Sequence, residues 1–369
     1  MDFSFNQDQQ DLREAIRAFL DRHAGPAAVR VAIEDDDAFA REPWARLVGE
    51  MELTSLAIDL ERGGAGAGFV EVGIALEELG RTLLPVPYLG TVAAAGAIAD
   101  AEAAGAEAAP ALAERIVAGA VAAVAIDEPA PEAAAAVAAG ELRLDGVATH
   151  VLDGAHAELL VLAAELDGEP ALLAVELNAE GVSVEPQKTL DQARGQATVR
   201  MAGAPAVRLS APGDGGAAVA RAGQRLAIAQ ALESVGAASR CLRVTVEYLK
   251  ERVQFGRPIG SFQALKHRCA DLAAELEAAR STAYYAGWAV DGAPEELPVL
   301  APMARAVCGE ALLRVAGESI QMHGGIGFTW EHDAHLYFKR AKASELLAGG
   351  FRAQRRLVGT RGGIVGASR

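Results

Sequence analysis

Glu247-Tyr248-Leu249-Lys250-Glu251-Arg252-Val253-Gln254-Phe255-Gly256-Arg257-Pro258-Ile259-Gly260 joins two long helical patterns. Upstream, Ile228, Leu232, Val235, Leu242, Val246 and Leu249 recur at three-, four- and seven-residue spacing, the period of one buried helix face. Gly256 and Pro258 end that pattern, because proline has no backbone N–H to continue the ladder. A second pattern, Phe262 to Arg280, starts at once. Two long helices meeting at a tight turn form the core of a helical bundle. Arg252, Arg257, Lys266, His267 and Arg268 crowd the turn, which suits either an anion site or two solvated helix ends.

The bulk of the chain sets wide bounds. Its 369 residues can bury a large core in two or three domains. Half of them are apolar (51%), which excludes a disordered protein, and only 5% are aromatic, so alanine and leucine fill the interior. No apolar run reaches the roughly 18 residues that span a bilayer. Met1-Asp2-Phe3-Ser4-Phe5 lacks the basic start and apolar core of a signal peptide. Cys241, Cys269 and Cys308 are odd in number and far apart in helical patterns, so buried free thiols in a reducing cytoplasm are expected. A net charge of −16 argues against nucleic acid and anionic membranes as partners. No metal site is expected.

In chain order, Asn6 can cap a first helix that carries Leu12, Ile16, Phe19 and Leu20, with Gln9 placed for a capping box. Trp44, Leu47 and Met51 suggest another helix. Gly63-Gly64-Ala65-Gly66-Ala67-Gly68 precedes a helix ending in Glu77-Glu78-Leu79-Gly80-Arg81, but no strand precedes it and no P-loop lysine follows, so a phosphate cradle is not expected there. Around Arg115 the period shortens. Ile116–Ile126, Leu142–Leu152, Leu159–Ala164, Ala171–Val175, Val182–Val184 and Ala197–Leu209 read as strands, with turn signals at Asp145-Gly146, Asp153-Gly154 and Asp167-Gly168. From Gly215 the helical period returns. The fold class is therefore α+β, with a helical domain at 1–113, a central β-barrel or sandwich at 114–212, and a helical bundle at 213–369.

The stretch Glu251 to Gln263 resembles the R-x-x-F-G turn of acyl-CoA dehydrogenases, and Gln321-Met322-His323-Gly324-Gly325-Ile326-Gly327-Phe328-Thr329 resembles their later Q-x-x-G-G-x-G-F segment. Their order and separation match too. The resemblance implies the acyl-CoA dehydrogenase fold, with a C-terminal four-helix bundle that binds FAD and oligomerises. In such enzymes a glutamate removes the α-proton of an acyl thioester while the β-hydrogen leaves as hydride to the flavin. It further implies that Arg252 pairs with the FAD pyrophosphate, Phe255 packs on the cofactor, Gln263 and Gln321 offer amide hydrogen bonds, and Gly324 and Gly325 let backbone approach the adenosine end. Those residues would serve the flavin of a neighbouring subunit. The implied partners are an acyl-CoA substrate, a homo- or hetero-oligomer arranged as a dimer of dimers, and an electron-transfer flavoprotein or similar acceptor.

The rest of the implied site departs from the pattern. The flavin-wrapping T-E-P-x-x-G-S-D stretch is reduced to Asp127-Glu128-Pro129, and W-x-T-N-G falls on His150-Val151-Leu152-Asp153-Gly154, with leucine in place of a hydroxyl donor. The Y-E-G-T segment that carries the base falls on Leu347-Ala348-Gly349-Gly350, so Ala348 stands at the usual base position. The alternative base position, at the start of the long helix, falls on Leu226 or its neighbours. Glu233 and Glu247 lie further along that helix, where a solvated or salt-bridged face is the simpler role, and Glu233 is the remaining candidate base. Short chains of this kind resemble one partner of actinobacterial heteromeric dehydrogenases acting on steroid side-chain CoA thioesters. Three readings stay open: an FAD-dependent acyl-CoA dehydrogenase or a subunit of one, a non-catalytic partner that completes a flavin site, and a flavin-dependent monooxygenase on the same fold.

Overall fold

A computed structural model describes residues 4–35, 38–126, 132–138, 141–347 and 350–364. Asn6 opens the first helix with the capping box its sequence offers. Its side-chain oxygen accepts from the Gln9 N–H at 2.8 Å, and its own N–H donates to the Gln9 side chain at 3.1 Å. The helices α1 (Gln7–His23), α2 (Pro26–Glu34), α3 (Arg41–Gly49), α4 (Phe69–Thr82), α5 (Tyr88–Ala103) and α6 (Ala109–Val117) precede the sheet. Strands β1 (Ala122–Ala125), β2 (Glu132–Ala138), β3 (Glu141–Leu152), β4 (Leu159–Leu166), β5 (Glu169–Glu176), β6 (Val182–Gln187) and β7 (Gln196–Arg208) form it. Then come α7 (Gly215–Glu251), a ribbon of β8 (Val253–Gln254) and β9 (Arg257–Pro258), α8 (Gln263–Gly292), α9 (Leu297–His323), α10 (Ala334–Leu346) and α11 (Gly350–Arg361). Among the described residues, no helix is long and apolar enough to cross a membrane.

The chain gathers into two compact units, and both draw on separate stretches of sequence. One holds Val31–Val72 and Pro85–Leu226. In it β4 pairs with β5, β5 with β7, β7 with β3, β3 with β2 and β2 back to β4, so the curled sheet closes on itself. Alternate residues fill its interior, among them Leu160 and Leu162, Leu173 and Val175, and Val199 and Met201. β1 adds in parallel to β4, Ala122 opposite Leu159. Two expectations change here. Ile116 lies on the buried face of α6 with Leu112 and Ala113, because a short apolar run does not by its period distinguish strand from helix. β2 was not expected, since alanine has little strand preference; it is recruited by pairing along β3, Ala135 opposite Leu144.

The other unit holds Met1–Arg30, Gly73–Leu84 and Ala227–Arg369. Ile228, Leu232, Val235, Leu242 and Leu249 on α7 are buried, as their spacing predicts. Glycines let α4 and α7 touch backbone to backbone: a Cβ on Gly236 would stand 1.8 Å from the Glu77 carbonyl oxygen, and one on Gly80 would stand 2.2 Å from that of Glu233. Beside that contact the Glu77 and Glu78 carboxylates are buried in a cage of Arg13, Arg17, Arg81 and Arg280, with the Tyr284 hydroxyl donating to Glu77 at 2.7 Å. All three cysteines are free; Cys241 and Cys308 are buried, whereas Cys269 is only half-buried.

Candidate functional site

The turn after α7 is a two-residue β-hairpin. Val253 pairs with Pro258 and Gln254 with Arg257, leaving Phe255 (φ 55°) and Gly256 (φ 77°) at the tip. Two consecutive positive φ values match the twist of a tight hairpin, which glycine meets freely and phenylalanine at a cost. The Ile259 N–H donates to the Arg252 carbonyl at 2.8 Å and closes the base of the loop. Phe255 stands out, 89% exposed, touching only the edge of Phe262 among aromatic rings. Arg252 is exposed and forms no ion pair among the described residues, and Gln263 is exposed at the start of α8. One hairpin thus carries an open phenylalanine and an exposed guanidinium that has no ion pair among the described residues.

The second segment lies at the same end of the bundle. The Tyr248 hydroxyl donates to the His323 carbonyl at 3.3 Å, and their rings pack at a tilt with centroids 4.5 Å apart. One turn earlier Thr245 donates to the Cys241 carbonyl at 2.8 Å and its oxygen accepts from the Ser319 hydroxyl at 2.7 Å. These contacts clasp the ends of α7 and α9 together. Beyond the clasp Gln321, Gly324 and Gly325 are exposed, and Phe328 is 84% exposed. Gly324 has φ 65° and ψ −143°, a conformation open to glycine, and a Cβ there would meet open space. The glycines therefore leave two residues of bare backbone facing outward. Sequence reasoning missed the clasp, because Tyr248 and His323 are ordinary residues 75 positions apart. Burial pulls the His323 imidazole below its usual pKa; Nδ1 donates to the Ser319 carbonyl at 2.7 Å and Nε2 is buried with no partner among the described residues.

Together these side chains can grip a group that is both anionic and aromatic. They offer a guanidinium, an open ring, two amides and uncovered backbone. No general base stands among them. Ala348 lies outside the described residues. Glu233 is not a solvated side chain: its carboxylate sits 3.3 Å from Arg340 Nη1, and both side chains are largely buried. Glu247 is exposed on α7, and Leu226 is buried.

In the other unit, β3 carries a bulge. Ala148 pairs with Val199 but Val151 pairs with Ala197, so one extra residue is taken up around His150, whose φ is 57°. The exposed His150 ring rests its Nδ1 3.3 Å from the Gln196 side-chain oxygen. Leu152 is 3% exposed, and its side chain has no donor to offer. Asp127, Glu128 and Pro129 lie outside the described residues.

Comparison with known proteins now decides the family. Residues 6–110 match the acyl-CoA dehydrogenase N-terminal domain, and residues 213–363 match the acyl-CoA dehydrogenase C-terminal domain. The chain is 38% identical to acyl-CoA dehydrogenase IpdE2 of Mycobacterium tuberculosis, covering 92% of this chain and 93% of that protein. It belongs to the acyl-CoA dehydrogenase family. Members are oxidoreductases acting on CH–CH bonds and are flavoproteins. Among solved structures, a chain of the ChsE4-ChsE5 complex from Mycobacterium tuberculosis superposes with a TM-score of 0.90 at 30% identity, over 100% of both chains. A chain of the Tcur3481-Tcur3483 steroid ACAD G363A variant gives 0.89, again at 30% identity, over 97% of this chain and 99% of that one.

Proposed function

We propose that this chain is a subunit of an FAD-dependent acyl-CoA dehydrogenase built from two kinds of chain, in which it completes the partner's flavin site and supplies no base of its own. The observation that carries this reading is the outward-standing Arg252 and Phe255, both exposed, with no ion pair to Arg252 among the described residues. Arg252 would fork onto a pyrophosphate oxygen pair, where a guanidinium gives charge and geometry together. Phe255 would lie against the cofactor, and Gln263 and Gln321 would hold its polar edges. The open backbone at Gly324 and Gly325 admits close approach by a ligand, as the adenosine end would need. FAD, when bound, supplies the hydride acceptor for the β-carbon of the thioester.

The base must then come from elsewhere. Ala348 has no titratable group, and the Glu233 carboxylate is engaged by Arg340. The likeness to a chain of a two-protein complex supports a heteromer, and the likeness to a protein described as a steroid ACAD supports a steroid-derived acyl-CoA as substrate. A dimer of dimers, an electron-transfer flavoprotein as acceptor and a cytoplasmic setting complete the reading; the three unpaired cysteines suit a reducing compartment. The test is co-purification from the native host, with subunit masses and flavin per chain. Two different chains sharing flavin at less than one per chain is expected. A homomer with one flavin per chain and full turnover would overturn the proposal.

A further inference from the structure

One cavity has no part in that role. It opens among α1, α2, the end of α4, the middle of α7 and the start of α10, and holds about 350 Å³, enough for a small ligand. Its floor is apolar and buried, formed by Leu20, Leu83 and Leu336, each at most 5% exposed. Its polar lining is dominated by three arginines, Arg81, Arg240 and Arg243, drawn from two helices.

The charges around the cavity are not balanced. Arg81 is bound to Glu78 and lies 3.8 Å from Asp21, and Asp333 on the rim is held by Arg30 at 2.7 Å. Arg240 and Arg243 form no ion pair among the described residues. They are three residues apart on α7 and therefore share one face. Asp21 and Glu247 attract Arg243 from a distance, but burial and the repulsion of Arg240 and Arg81 outweigh them and draw its guanidinium below its ordinary pKa. Arg240 is half-buried and donates to the Tyr337 hydroxyl oxygen, whereas Arg243 is exposed at the cavity, and neither charge meets a carboxylate in an ion pair among the described residues, in a chain with 50 acidic and 34 basic residues. Tyr337 spends its hydroxyl hydrogen on the Arg81 carbonyl at 2.6 Å, so it walls the cavity without adding a donor.

We propose that this cavity binds a small organic anion, its phosphate or carboxylate group held in the forks of Arg240 and Arg243 and its body resting on the Leu20–Leu83–Leu336 floor. Guanidinium forks match the paired oxygens of both groups, and a half-enclosed mouth strengthens the contact over one in open water. The site is separate from the flavin-contacting turn: Arg252 lies nine residues beyond Arg243, about 14 Å along the helix axis.

Calorimetric titration of the full-length chain with pyrophosphate, with ADP and with succinate tests the proposal. At least one probe should bind saturably, once per chain, and more weakly at high salt. The double variant Arg240→Gln/Arg243→Gln should weaken that binding roughly tenfold or more, as loss of charge-assisted hydrogen bonds does. Circular dichroism and melting of the variant show that it is folded. Arg355→Gln, which removes a charge from an exposed position on α11, should leave the affinity unchanged. Arg252→Ala should leave it unchanged as well, which separates this site from the flavin surface. Preference for pyrophosphate or for succinate would each support the proposal and name the group recognised. Failure of all three probes to bind, or binding that follows Arg252 instead of Arg240 and Arg243, would overturn it without touching the proposed flavin role.

Discussion

Two groups of arginines in the unit that holds the C-terminal helices meet opposite fates. Around Glu77 and Glu78, guanidinium groups are locked onto buried carboxylates, Arg17 at 2.6 Å from Glu78 and Arg280 at 2.8 Å from Glu77. At the hairpin after α7, Arg252 stands in the open beside an exposed phenylalanine. A buried ion must be matched within the fold, because an unmatched one costs several kcal/mol. An exposed arginine costs the fold almost nothing, so its geometry is free to serve another molecule. The first group is architecture. The second is open surface, where the proposed partner would meet the chain.

The largest test of that contrast is catalytic. General-base loss typically costs ~100- to 10,000-fold, so the purified homomer, loaded with FAD and assayed on several acyl-CoA thioesters with an artificial acceptor, should turn over slower than the native complex by that factor. Turnover at complex-like rates that Glu233→Gln then abolished would make Glu233 the base and break the contrast. Next in size, Glu78→Ala should destabilise the chain by about 3 kcal/mol, because it strands the buried Arg81 guanidinium, and chemical denaturation would read it. Flavin content per folded complex should not change. Third, Arg252→Ala should do the reverse: flavin affinity in the complex falls roughly tenfold, while stability moves by no more than about 0.5 kcal/mol. Equal flavin retention in mutant and parent would remove Arg252 from the site.

The smallest effect is a pH dependence. Burial pushes the Glu78 carboxyl up, but the Arg17 hydrogen bond and the Arg81 charge outweigh it and hold the group below its ordinary value of 4.5. A depressed folded-state pKa stabilises fully above the unfolded value and is lost as pH falls through the folded one. Melting temperature should therefore hold down to about pH 4.5 and then decline on the acid side. Glu78→Gln should flatten that decline. An identical acid slope in the variant would assign it to other carboxylates.

The sequence was a good guide wherever one helix face decided the outcome. The stripe from Ile228 to Leu249 is buried save for the half-buried Val246, and Asn6 caps its helix as its neighbours suggest. It was a poor guide where pairing came from a distance. The alanines of β2 became a strand only because β3 offered a ladder, and Ile116 went to a helix because local period could not exclude one. The site shows the same divide. Arg252, Phe255, Gln263, Gln321, Gly324 and Gly325 could be named from two short motifs, and the structure puts all six on the exposed surface. That both motifs share one end of the bundle depends on Tyr248 meeting His323, which no local pattern reveals. A solvated or salt-bridged face was the simpler role for Glu233, and the ion pair it makes is with Arg340, 107 positions away, which the local sequence could not name.

The clasp between α7 and α9 has a consequence for how a partner would be gripped. With Thr245 on Ser319 and Tyr248 on His323, neither turn can shift without straining the other. The two loops then act as a single jaw, and the entropy of ordering one has already been spent on both. Perturbations at Phe255 and Phe328 should for that reason couple in a double-mutant cycle, despite lying on separate loops, and cutting the clasp with Tyr248→Phe should uncouple them.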